Sequence, residues 1–102
     1  MIGPKPKGFY TARLKEYQYA WEYLAAGKRY QVVREFSDAD QSVHPVGEAW
    51  TFLGYNYQAM DEGYSFFVST DGQQEWHIPM QRQEQAAVIE NPMNYLQPIG
   101  DR

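Results

Sequence analysis

The sequence predicts an α+β fold, mainly β. One N-terminal helix precedes a four- to five-stranded antiparallel body, either a curled sheet or a small barrel. Three observations predict it. Leu14, Tyr17, Trp21 and Leu24 recur at helical spacing ahead of Gly27. Short aromatic-rich segments between Tyr30 and Met80 alternate with Asp, Gly and Pro turns. A chain of 102 residues, 43% hydrophobic, suits one compact domain.

Residues 1–10 carry Pro4, Pro6, Gly3 and Gly8 and read as an irregular arm before a single domain over 11–102. Thr11 can cap a helix over 12–26. Gly27 accepts the left-handed turn that ends helices. A β-rich body then spans 29–96. Its first strand, 30–36, sets Tyr30, Val32 and Phe36 on one face. The polar loop 37–47 follows, broken by Pro45 and Gly47. The second strand, 49–57, directs Trp50 and Phe52 one way and Leu53, Tyr55 and Tyr57 the other. The third, 64–69, alternates Tyr64, Phe66 and Val68 with Ser65, Phe67 and Ser69. Asp71-Gly72 is a hairpin turn, since both residues tolerate positive φ. The fourth strand, 74–80, aligns Trp76, Ile78 and Met80, and Pro79 places it at an edge or an end. Segment 83–90 fits a short helix or a strand, and Asn91-Pro92 stops either.

Cysteine is absent, which excludes disulfides, thiolate nucleophiles and Cys-based zinc sites. The formal net charge is −4 and the basic residues are scattered, which disfavours nucleic acid as a partner. No apolar run reaches signal-peptide or membrane-helix length, so a cytoplasmic protein with no membrane partner is expected. The glycines are isolated turn formers, with no phosphate loop, dinucleotide fingerprint or nucleophile elbow. No cofactor is expected.

The run Gly47-Glu48-Ala49-Trp50-Thr51-Phe52-Leu53, together with Pro92-Met93-Asn94-Tyr95-Leu96, resembles the strands that follow the first long loop and close the barrel in SH3-like small barrels. The resemblance covers about residues 30–96 and implies a small closed barrel. The paired tryptophans of the proline-peptide groove are missing. A second resemblance rests on Tyr23-Leu24, Gly27-Lys28, Tyr30 and Val32, followed by His44-Pro45, Gly47-Glu48, Trp50 and Phe52-Leu53-Gly54. This pattern is similar to a family of small uncharacterised bacterial proteins with no assigned activity. It implies a compact domain and carries over no functional residue.

Candidate chemistry is sparse. Asp38, Asp40 and Ser42 open like a calcium loop, but Val43 and Ala49 stand where Gly and Glu are needed. His44, Glu48 and His77 could build a metal-dependent or small-ligand site only if folding gathers them. Alone, His44 reads as a turn residue bonding a carbonyl and His77 as a surface strand residue. Carboxylate pairs such as Glu48 with Asp61 or Glu75 carry no information without a pocket. The better candidates are Tyr55, Tyr57, Tyr64 and Trp76, which would form an aromatic platform of the kind enriched at contact hot spots. Exposed acids at Asp38, Asp40, Asp61 and Glu62 would attract a basic partner. The expected function is therefore non-enzymatic binding of a protein or peptide. A homodimeric or accessory structural subunit is the alternative, and a small-ligand or metal-dependent enzyme near His44, Glu48 and His77 a further one.

Overall fold

A computed structural model describes residues 1–100. Six strands form one antiparallel sheet in the order β1-β9-β8-β7-β4-β10. These are β1 (Ile2–Pro6), β4 (Arg29–Val32), β7 (Ala49–Gln58), β8 (Gly63–Ser69), β9 (Gln74–Gln81) and β10 (Leu96–Pro98). Two short hairpins flank it: β2 (Ala20–Trp21) with β3 (Leu24–Ala25), and β5 (Phe36–Ser37) with β6 (Val43–His44). The helix α1 (Arg82–Glu90) follows β9 and packs on it.

The expected N-terminal helix over 12–26 is absent. A single 3-10 turn, Glu16–Tyr19, leads instead into the β2–β3 hairpin, and Glu22 reverses the chain at φ 53°. The reason lies in where the apolar residues go. Leu14 packs over Gly54 on one face of the sheet, whereas Leu24 enters the core on the other. A straight helix offers one stripe to one surface and cannot serve both faces. Tyr30 secures the hairpin: its hydroxyl accepts the Ala25 N–H at 2.7 Å and donates to the Tyr23 carbonyl at 3.3 Å.

The sheet does not close into a barrel. Among the described residues its end strands, β1 and β10, pair only with β9 and β4 respectively. Both carry prolines, Pro4 and Pro6 in one and Pro98 in the other, and a proline removes a ladder donor. The arm read as irregular therefore forms an edge strand over residues 2–6, the position where proline is tolerated.

The core lies on one face of the sheet. Tyr30, Val32, Trp50, Phe52, Phe66, Val68, Ile78 and Met80 pack there beneath Leu24, Val88, Ile89 and Leu96. A register shift between Phe52 and Gly54 inserts an extra residue in β7. Phe52 pairs with Val68, and Tyr55 and Tyr57 then pair with Phe66 and Tyr64. The bulge thus returns Tyr55 and Tyr57 to the face of Trp50 and Phe52, not the opposite one expected from strict alternation.

Gly54 is required by close approach. A Cβ there would stand 2.9 Å from the Gln18 carbonyl oxygen and collide with the Leu14 side chain. Gly54→Ala is expected to lower stability by about 1–3 kcal/mol, as overpacking does. Chemical denaturation of the variant checks it.

Candidate functional site

The loop between β5 and β6 turns on one carboxylate. Asp38 Oδ1 accepts the backbone N–H of Asp40 at 2.8 Å and of Ser42 at 3.1 Å. Its Oδ2 accepts from the Met1 ammonium at 2.6 Å and lies 2.7 Å from His44 Nε2. On the other side of the ring, His44 Nδ1 lies 2.5 Å from Glu48 Oε2, which also accepts the Trp50 indole N–H at 3.0 Å. Phe36 stacks on the imidazole at 4.7 Å. Asp38, expected on an exposed rim, is 2% exposed, and His44 is 1% exposed.

Both nitrogens of His44 face carboxylate oxygens, so only the imidazolium satisfies both contacts. Burial alone would lower its pKa, but the bonds to Glu48 and Asp38 outweigh it and raise the value. Burial likewise pushes Asp38 up, and the bonds from the terminal ammonium, His44 and Ser42 hold it below the usual carboxylate range. No ring lone pair is left to accept a proton or bind a metal. The arrangement works as a clasp that ties the β5–β6 loop to β7. Among the described residues no three His, Asp or Glu side chains are placed to hold a metal ion.

A second carboxylate holds the N-terminal segment. Buried Glu75 accepts from Gly8 N at 2.7 Å, Tyr10 N at 2.9 Å, Thr11 N at 3.3 Å and Thr11 Oγ1 at 2.7 Å. Burial opposes its charge, and these donors more than compensate, so its pKa is lowered. Residues 7–18 become a strap across the sheet face away from the core. Tyr10 stacks on Phe67 at 5.0 Å, and His77 sits 5.5 Å from each ring. His77 Nε2 lies 2.7 Å from Ser65 Oγ. Burial, then the Met1 ammonium, lowers its pKa. The fold therefore joins His44 to Glu48 but leaves His77 outside, half-buried rather than on an open surface.

The aromatic candidates divide. Tyr64 is buried, with Trp21 at 4.8 Å and Tyr57 at 4.7 Å from its ring, and Arg82 donates to its hydroxyl at 2.7 Å. Tyr55 is half-buried under Trp21 at 5.0 Å, and half-buried Trp76 packs against the core. Tyr57 stays 43% exposed. Gln18 donates to the Tyr55 carbonyl and to Asn56 Oδ1, both at 3.2 Å, which holds the 3-10 turn against β7. That turn presents Tyr17, 68% exposed, and the β7–β8 turn presents Met60, 101% exposed. The acids do not gather in one rim: Asp40 lies 3.6 Å from the Met1 ammonium, while Asp61 Oδ1 accepts Gly63 N at 3.2 Å. Glu62 remains exposed at φ 51°. Helical spacing sets Tyr17 in an apolar stripe, and no signal in the sequence singles out Met60.

Fold and geometry together define a small, open-sheet β domain, strapped by its own N-terminal segment, in which buried Asp38, His44 and Glu75 are paired within the fold. The chain belongs to the family described as a domain of unknown function (DUF3601), which matches residues 10–101. It is also similar to the solved structure of an integron cassette protein from the mobile metagenome of Vibrio cholerae. The TM-score is 0.75 and the identity 27%, over 80% of this chain and 92% of that one. No curated protein matches. Membership agrees with the expected resemblance to an uncharacterised family. No helix among the described residues is long and apolar enough to cross a membrane.

Proposed function

We propose that the protein is a non-catalytic module that binds a polypeptide through the tyrosine-bearing end of the β7–β8 hairpin. The observation that carries this reading is the exposure of Tyr17, Tyr57 and Met60 on elements fixed from beneath by Gln18, Trp21 and Tyr64. Large amphipathic side chains on a rigid base lose little conformational entropy on contact and bury much area. The ionisable clusters give this reading further support, because the atoms that would act in acid–base or metal chemistry are engaged within the fold. Further strand addition is disfavoured by the prolines in β1 and β10.

The test is affinity capture from lysate with the wild type and a Tyr17→Ser/Tyr57→Ser/Met60→Ser variant side by side. Each site is exposed, so the variant is expected to keep its thermal midpoint within a few degrees. A partner held by the wild type and lost by the folded variant is the expected result. Equal retention by both would place binding elsewhere, and a product of twice the monomer mass would make the partner a second copy of the chain.

A further inference from the structure

The surface beside Tyr17 carries a charge of opposite sign to the chain. A groove of about 290 Å³ runs along the strap, floored by Phe67 and Leu14 and edged by Arg13, Lys15, Tyr17 and Asn56. The chain as a whole has net charge −4, yet no carboxylate lines this groove. Among the described residues neither Arg13 nor Lys15 forms an ion pair.

The amide of Asn56 adds to the pattern. Its Oδ1 accepts the backbone N–H of Tyr57 at 2.9 Å and the Gln18 side-chain amide at 3.2 Å. A backbone N–H can only donate, so the oxygen is fixed at that position and the Nδ2 donors are fixed opposite it. Those donors have no acceptor among the described residues. The side-chain hydroxyl of Tyr17 is likewise without a partner among them. Two cations, an amide N–H2 and a phenol thus line a groove floored by Phe67 and Leu14, with no acceptor for them among the described residues.

We infer that this groove binds an acidic segment of the partner polypeptide, with Asp or Glu side chains on either side of an apolar one. Arg13 and Lys15 meet the carboxylates, Asn56 donates to the segment, and the Phe67 and Leu14 floor takes the apolar side chain. The groove is far larger than one phosphate or carboxylate, and its apolar floor has no use for a free inorganic anion. This inference rests on the reading above that the partner is a polypeptide and Tyr17 part of its contact surface.

The experiment uses the full, isotopically labelled chain and three probes: acetyl-Glu-Glu-Leu-Glu-Glu-amide, the same peptide with Lys for Glu, and inorganic phosphate. Saturable shift changes are expected at Arg13, Lys15 and Asn56 with the acidic peptide only. They are expected to weaken with salt, and by at least about tenfold in Arg13→Glu/Lys15→Glu. Three results overturn the inference: no saturable change, equal affinity in the variant, or phosphate binding as tightly as the peptide. A partner lost by the Tyr17/Tyr57/Met60 variant but kept by Arg13→Glu/Lys15→Glu would sink the groove while leaving the tyrosine surface in place.

Discussion

Replacing His44 with alanine is expected to destabilise the protein by about 3–5 kcal/mol, the range for breaking a buried charge pair from one side. The imidazolium bridges Asp38 and Glu48, and its removal leaves the fully buried Asp38 carboxylate with only the ammonium as a charged partner among the described residues. His44→Gln keeps much of the volume and one donor and is expected to recover part of the loss. Urea unfolding near pH 6 measures both.

The same clasp sets a pH dependence. The folded pKa of His44 is raised above its ordinary value of 6.5, so its contribution is complete below that value. It is lost as pH rises through the higher folded value. Asp38 runs the other way: its folded pKa is lowered from 3.8, so its contribution is present above that value and lost as pH falls through the lower one. Stability is therefore expected to decline as pH rises above the ordinary histidine value of 6.5 in the wild type. That decline should flatten in His44→Ala, and an unchanged alkaline slope in the variant would show that the imidazolium is not its source.

The second large effect is expected from Glu75→Ala, and it is local. The substitution removes the acceptor of three backbone N–H groups and the Thr11 hydroxyl. Leaving such groups unpaired while buried costs about 1–3 kcal/mol each, so the strap is expected to lift into water rather than stay docked and unpaired. The sheet keeps its own ladder and stays folded. Amide exchange over residues 8–18 should accelerate by about a hundredfold, equivalent to roughly 2.7 kcal/mol, with little change in β7, β8 and β9. In the wild type the same lifting is expected in acid. The Glu75 pKa is lowered from 4.5, so its contribution is present above that value and lost as pH falls through the lower one. Exchange that rises equally across the sheet would mean that the strap is not a separable unit.

The three strands β7, β8 and β9 were legible because alternation and turn chemistry agree along 49–81. Asp71-Gly72 marks a hairpin, and Asp71 Oδ1 does accept Gln73 N and Gln74 N there, at 2.8 and 3.0 Å. Leu14, Tyr17, Trp21 and Leu24 keep the spacing of a helix over 12–26, yet Leu14 and Leu24 serve opposite faces of the sheet and Tyr17 faces solvent, which local pattern does not reveal. Gly54 inside a strand was the visible sign of the bulge, and ignoring it inverted Tyr55 and Tyr57. The His44 clasp had no local signature, since Asp38, His44 and Glu48 follow no ligand spacing and meet only when β5 and β6 pair. Polarity placed Asp38 outside, whereas its hydrogen bonds allow it inside.

The most direct test of the tyrosine surface is site-specific photocrosslinking in lysate from two exposed apolar positions. One benzophenone probe is placed at position 60, beside Tyr57, and the other at position 46, where Val46 is 65% exposed in the loop before β7. A discrete adduct from position 60, lost on Tyr17→Ser/Tyr57→Ser and absent from position 46, is the predicted result. No adduct at position 60, or the same adduct from both positions, would contradict it.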